Sequence, residues 1–513
     1  MKRTIVTVVI VLESFFMAAL PVIRKSSVIV GKDLVTEKEI KATKYEFDSR
    51  IFNSTLDTTS KTLTLQFRCL SSNEKFYENE GELAVFDLIT KEIRWSKEIN
   101  YRNTRIEQYD GVLFLSRGME TTRVDLSSGN SLWNSKVAIF ATIPNLNISL
   151  GYRYSGFSQS LVNYLSCIEL STGTILWKRP VDRNYGWNSI KNLNDTSIII
   201  KSFGLHQINL KTGKGWDYVV RTGLQNYSKT FGANVGGVAL GIFTGTFVIS
   251  GGRDLVSNLV SNIAEDSLNF YFASKEYLAC LSHDGKINWK AKLPKETSHS
   301  NIMVDSTTVY LVNDGEADYN GKKYNYGKPY IAAFDKLTGH QHYQSIFDLD
   351  ENPLLEFVRG KDSVDLFFKD RSIRYALKNG AAKTINYDKN QVGEFKYTVA
   401  SFSNYIKTDS TFQSLHSLDP RAMYLMSTNK NVIKLNDNLS FDRLIGIDDL
   451  YSLRAENQKY KFLYHDKKLI VVNQLNKSIA ELELGKKNVI LENKLYAIDD
   501  NSITEIELSK ECF

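Results

Sequence analysis

An all-β fold, a single closed β-propeller of four-stranded antiparallel blades, is what this sequence predicts, on three observations. One stretch recurs along the chain: an apolar strand, a turn with Gly, then an aromatic residue four positions on. A second motif, Asp before a small residue and a β-rich run, precedes it at near-constant distance. Aromatic residues make up 12% of the chain, with 27 Tyr and 27 Phe, types that favour strands. With 513 residues the chain exceeds one ordinary core and leaves several domains, a solenoid or one closed repeat. An apolar fraction of 42% and a charged fraction of 24% exclude disorder. The net charge of +6 is spread without a block of like charges, so no nucleic-acid partner is expected.

The recurring stretch reads AVFDLITKEIRW to Trp95, TRVDLSSGNSLW to Trp133 and CIELSTGTILW to Trp177. It returns as QINLKTGKGW to Trp216, CLSHDGKINW to Trp289 and AAFDKLTGHQHY to Tyr343, so five of the 6 tryptophans share one position. The second motif appears at Asp110-Gly111, Asp195-Thr196 and Asp266-Ser267, at 23, 21 and 23 residues before the next tryptophan. Asp305-Ser306 and Asp362-Ser363 start the unit again. Asp with Gly or Ser between alternating runs is a hairpin signal, because these residues tolerate the turn conformations.

Each unit therefore reads as strand, tight turn, strand, loop, strand, Gly turn, strand. One such sheet cannot bury both faces, so several must stack, and a ring leaves only short edges. Gly129, Gly173, Gly213, Gly285 and Gly339 suit the left-handed position of the last hairpin; the first copy has Lys91 there. The tryptophan is expected to pack between neighbouring blades with its N–H bonded to backbone. Second strands are found around Leu63, Val112, Ile148, Ile198, Phe270, Val309, Val364, Met423, Phe462 and Leu495. The last unit lacks a strand, which a segment near 35–47 could supply.

The pattern apolar-x-Asp/Asn-x-x-Thr-Gly-x-x-x-Trp resembles the tryptophan-docking repeat of pyrroloquinoline-quinone-type propellers, over about residues 80 to 345. That family holds quinoprotein dehydrogenases and the non-enzymatic propeller lipoprotein of the outer-membrane β-barrel assembly machine. The resemblance implies eight blades, against ten from the strands alone; eight is the expectation and ten its alternative. An enzymatic member would carry an adjacent Cys-Cys pair, a carboxylate and an amide oxygen for Ca²⁺, and an Asp base. No two cysteines here are adjacent, and no carboxylate can be matched to those roles. The expectation is a non-catalytic scaffold or protein-interaction module of the bacterial cell envelope, without a cofactor or assigned catalytic residue. The alternative is a small-molecule binder or enzyme using the central funnel.

Residues 1–25 read as a signal or anchor segment, with 26–513 the propeller. Lys2-Arg3 precede a mostly apolar run to Ile23, interrupted by Glu13 and closed by Arg24-Lys25, the layout of an export signal, although no A-x-A cleavage site follows. An uncleaved anchor and an ordinary buried segment are the alternatives. The four cysteines, Cys69, Cys167, Cys280 and Cys512, form no CxxC, so neither a disulfide framework nor a zinc site is expected; Cys167 and Cys280 read as buried hydrophobes. In the loop 313–327, Glu316, Asp318, Asn320 and Gly321 mimic the spacing of a calcium loop, but position 12 is Gly327 rather than Glu. A loop lengthening the middle hairpin of its blade is the competing reading. His340 and His342 read as exposed turn residues.

Trp216 to Trp289 spans 73 residues, so a Gly-rich insertion is expected at about 220–255. Its centre, 231–252, starts at Phe231, has no charge and contains seven glycines, with Gly237, Gly241 and Gly245 four apart. On a helix this is the small-xxx-small arrangement of membrane helices; in water so many glycines oppose a helix. A packed loop or plug, a partner-docking element and membrane insertion are the three readings.

Overall fold

The computed structural model describes residues 21 and 23–508, apart from 155–160, 184–186, 226–254, 320–321, 348–353, 361, 410 and 486. The structure is all-β. Among the described residues, α-helix is confined to two single turns, Lys389–Val392 and Leu415–Leu418. The chain divides into two compact units. One holds the described residues up to Lys136 together with those from Leu453, and the other is Val137–Ser452.

In the first unit, Ile51–Asp57, Thr62–Leu70, Tyr77–Asp87 and Ile93–Asn100 form one antiparallel meander, and Thr104–Tyr109 through Ser131–Ser135 form the next. The strands Lys487–Leu491, Lys494–Ile498 and Ser502–Glu507 make three-quarters of a sheet. The fourth strand comes from the other end of the chain: Glu39–Phe47 pairs Thr43 with Glu505 and Tyr45 with Ile503, as the segment near 35–47 suggested. Ile23–Asp33 then folds back on it as a hairpin, and Gly31, Lys32 and Asp33 also pair with Leu482, Glu481 and Ala480. It thereby covers the outer edges of two adjacent sheets, edges that would otherwise offer free N–H and C=O groups.

In the second unit, six four-stranded antiparallel sheets follow in chain order: 137–180, 187–219, 264–292, 300–346, 356–386 and 395–446. The sheet Leu450–Glu456 through Ser478–Leu482 contains the point where the chain passes between the units. Each of the ten second strands read from the sequence lies second in a four-stranded group of its own among the described residues.

Within each unit, cores lie between successive sheets. Phe140, Leu150, Tyr152 and Cys167 meet Ile198, Ile200, Ile208 and Leu210 of the next sheet. Ile199, Leu205 and Tyr218 meet Phe270 and Phe272 of the one after, with Val260 from the segment that precedes it. Leu278, Cys280 and Trp289 in turn meet Ile302, Leu311 and Phe334. Second strands are therefore covered on both faces, which is why they read as unbroken apolar runs rather than alternating ones; Ser197–Ser202, SIIIKS, is buried at every position. Twisted four-stranded sheets stacked face to face in sequence are the propeller arrangement.

Candidate interaction face

The repeat is built from one interaction copied along the chain. In the hairpin joining third and fourth strands, an Asp or Asn accepts two backbone N–H groups. Asp125 takes those of Ser127 and Ser128 at 2.7 and 2.9 Å, Asn209 those of Lys211 and Thr212 at 3.1 Å each, and Asp335 those of Leu337 and Thr338 at 3.1 and 2.8 Å. This is the Asx turn that makes Asp and Asn suitable there. The register then slips by one residue beside the aromatic ring, between Val85 and Phe86, Cys167 and Ile168, Cys280 and Leu281, and Ala333 and Phe334. Such bulges re-aim a side chain.

The ring reaches the turn of the next sheet. Trp95 donates to Leu126 O, Trp177 to Leu210 O, Trp216 to His283 O and Trp289 to Lys336 O, each at 2.9 Å. Tyr343 donates through its hydroxyl to Leu377 O at 2.9 Å. The turn glycine lies against the indole: Gly213 has φ +70, and a Cβ there would sit 2.6 Å from Trp177 Cδ2. Gly129, Gly285 and Gly339 face Trp95, Trp216 and Trp289 in the same way. Gly173 is likewise left-handed at φ 75, and Trp133 is buried in the fourth strand of its sheet, opposite Arg123. Lys91 keeps the left-handed conformation at φ 66. Its ammonium pairs with Glu505 and reaches Tyr496 Oη at 3.2 Å, and Lys494 holds the same carboxylate at 2.7 Å. Burial pushes the Glu505 carboxyl up, but the two lysines hold it below the usual range. Where no indole waits, an ion pair takes its place.

Two segments depart from the repeat, and they meet. The ends of the inserted segment pair with each other as Leu224–Gln225 and Leu255–Ser257. The second of these pairs with Glu316–Tyr319, Val256 to Tyr319 and Ser257 to Asp318. Glu316–Tyr319 and Lys322–Asn325 are a hairpin that extends the middle of the 300–346 sheet. The result is an extra four-stranded sheet with its own small core of Val256, Leu259 and Ala317.

The return from this sheet is pinned by polar groups, among them the buried Ser261, Lys201 and Asn313. Ser261 Oγ accepts the N–H of Ala273 at 2.9 Å, and Asn262 brackets Ile302 through its N–H at 2.6 Å and its C=O at 3.1 Å. Buried Lys201 donates to Ser261 O at 2.7 Å, and burial lowers its pKa to about 8. Asn313 Nδ2 donates to His299 O, Ser298 Oγ and Ser300 Oγ at 3.0–3.1 Å. His299 and Asp314 close the base of the hairpin at 2.6 Å. No sequence motif marks Lys201; its one signal is a charge inside SIIIKS, a strand buried at every position.

The loop 313–327 thus contains a hairpin rather than an open loop. Glu316 pairs with Lys323 at 2.9 Å, and burial pushes the Asp318 carboxyl up while His299 and Lys323 oppose it. Among the described residues no cluster of three His, Cys, Asp or Glu side chains is placed to hold a metal. Asn320 and Gly321 lie outside the described residues, as do Phe231, Gly237, Gly241 and Gly245 with the whole Gly-rich centre. His340 and His342 are exposed. Cys167 and Cys280 are buried and Cys69 is exposed, all three as free thiols.

No protein-family model matches the chain, and no curated protein matches its sequence. Among solved structures, the chain is similar to BamB from Moraxella catarrhalis at 13% identity and a TM-score of 0.30, over 73% of this chain and 94% of that one. AztD from Citrobacter koseri follows at 9% and 0.28, over 83% and 96%. The dihydro-heme d1 dehydrogenase NirN, solved in complex with DHE, stands at 9% and 0.32, over 83% and 78%. The fold is of the β-propeller class. That assignment rests on the chain's own strand pairing and not on these likenesses.

Proposed function

We propose that this chain is a non-catalytic propeller module of the bacterial cell envelope that holds protein partners at the extra sheet described above. The supporting observation is that its two departures from the repeat, some 60 residues apart in sequence, converge in one sheet anchored by buried polar groups. The residues that recur are engaged in packing sheet on sheet, so variation concentrates where a partner can be read, as is usual for loops on a rigid scaffold. Each four-stranded group other than the extra sheet is taken as one blade, ten among the described residues. The envelope assignment draws on the basic and apolar pattern of residues 2–25, and association with a membrane through that segment or through 231–252 is part of the same proposal.

The test replaces 316–325 by a Gly-Ser linker in the full chain and compares in-cell cross-linking with the parent. The sheets should persist, seen as an unchanged far-ultraviolet spectrum, while specific cross-links disappear. An identical cross-link pattern with a folded variant overturns the assignment of this face. Dye-linked alcohol oxidation on adding pyrroloquinoline quinone and Ca²⁺ would instead support the enzymatic reading.

A further inference from the structure

The extra sheet ends on a free edge. Its strands run in the order Leu224–Gln225, Leu255–Ser257, Glu316–Tyr319 and Lys322–Asn325, and among the described residues no strand pairs beyond the last of these. The Tyr326 N–H turns inward to Gly315 O at 2.7 Å. By the alternation of an antiparallel ladder, the N–H and C=O groups of Lys323 and Asn325 therefore point outward.

Charge on this face is sorted by depth. Glu316 is 12% exposed while Lys323, its partner at 2.9 Å, is 77% exposed. Asp314 is turned in against His299, and Asp318 is half-buried. Lys292, Lys295, Lys322 and Lys328 are exposed, and among the described residues none of the four has an ion-pair partner. Against them stands the exposed Glu296. Backbone contact places these lysines together. Gly327, left-handed at φ +75, packs on the neighbouring peptide, where a Cβ would come 2.1 Å from Glu296 O. Lys295 and Lys328 are each one residue from that contact, at the base of the hairpin, and Lys322 and Lys323 lie at its far end. A strand laid along the edge, rising about 3.3 Å per residue, runs from one pair toward the other. Lysine on an open edge deters indiscriminate pairing. A strand that brings carboxylates lifts that deterrent, so charge selects the occupant as well as attracting it.

We infer that the free edge of this sheet takes an acidic, extended segment of a protein partner, added as a further strand beside Lys322–Asn325 with its carboxylates on the surrounding lysines. The inference rests on the docking reading given above and names the chemistry of the partner. A polypeptide fits better than an anionic lipid surface because a headgroup phosphate does not supply the alternating donors and acceptors that the outward backbone groups require.

The test measures binding of the full chain to a soluble fluorescent peptide alternating Glu with Thr, to the same peptide with Gln or Lys in place of Glu, and to phosphatidylcholine vesicles containing phosphatidylglycerol. The acidic peptide should bind with a dissociation constant of about 1 mM or tighter, and at least about tenfold more tightly than either control. Its advantage should shrink with added salt, as the screening length falls to about 8 Å at 0.15 M. Combining Lys295→Glu, Lys322→Glu and Lys328→Glu, all at exposed positions, should abolish the preference without changing the far-ultraviolet spectrum. Asn325→Pro removes an outward N–H while leaving the inward ladder bonds, and should weaken the acidic peptide at least about tenfold with the spectrum again unchanged. Equal or absent binding of the peptides, a preference that survives the triple reversal, or unchanged affinity in Asn325→Pro would overturn the inference. Lysine-dependent binding to the vesicles alone would overturn it in favour of a membrane. In-cell cross-links that persist in the triple variant but vanish when 316–325 is replaced would remove the acidic partner and leave the docking reading standing. Cross-links that survive both changes would overturn the docking reading itself.

Discussion

Substituting Gly213 by alanine tests the interaction from which the fold is copied. The backbone there has φ +70, and the new Cβ would lie 2.6, 2.8 and 3.0 Å from Trp177 Cδ2, Cε3 and Cγ, where carbon atoms in contact normally stand about 3.5–4.0 Å apart. Two costs arise. The left-handed conformation disfavours alanine by about 1–2 kcal/mol. Displacing a ring from a filled core costs about 1–3 kcal/mol more, and the indole is further held by its 2.9 Å bond to Leu210 O. The sum, about 2–5 kcal/mol, is large against a stability of about 5–15 kcal/mol. Trp177→Ala alone should cost about 3–5 kcal/mol. In that background the steric part of Gly213→Ala vanishes and only the backbone part remains, so the two changes should couple by about 1–3 kcal/mol. Denaturant midpoints followed by far-ultraviolet circular dichroism on the four proteins measure this without relying on tryptophan emission. An equal Gly213→Ala penalty in both backgrounds would refute the docking argument.

Acid should weaken the protein through its turn carboxylates. Asp266 is pushed up by burial, but Lys336, the N–H groups of Leu268 and Asn269 and the Tyr271 hydroxyl hold it down at about 2, below an ordinary 3.8. Its folded pKa is depressed, so its stabilisation is complete above the unfolded pKa and is lost as pH falls through the folded one. Asp266→Asn should therefore flatten the decline of the denaturation midpoint between about pH 4 and pH 2, and an unchanged slope would contradict this. Thiol labelling of the native protein, read by peptide mass spectrometry, should modify Cys69 and spare Cys167, whose thiol burial pushes up to about 12; equal labelling of both would contradict the burial.

Much of the fold was legible in the sequence because its signals are local. The Asx turn lies within four residues, the bulge beside the indole within ten, and the second strand's apolar run follows from cover on both faces. Those features repeat, so register could be read from copies even where one copy departs. The convergence at the extra sheet was only half legible. Both departures stood out as additions to the repeat, but 313–327 read as an open loop, and neither its hairpin at 316–325 nor its pairing with the insertion was legible. The contact of Val256 with Tyr319 and that of Lys201 with Ser261 relate residues about 60 apart with no period to announce them. The same holds for Lys91, whose partner Glu505 is 414 residues away. In sequence Lys91 is a missing glycine; in space it is the cation that a buried carboxylate requires. The sequence by itself determined the repeating unit, since hydrogen bonds and side-chain alternation within a hairpin depend on neighbours along the chain. Tertiary structure decided which edges Ile23–Asp33 covers, how the two irregular segments join and which carboxylate meets Lys91, because each depends on groups brought together only when distant parts of the chain pack.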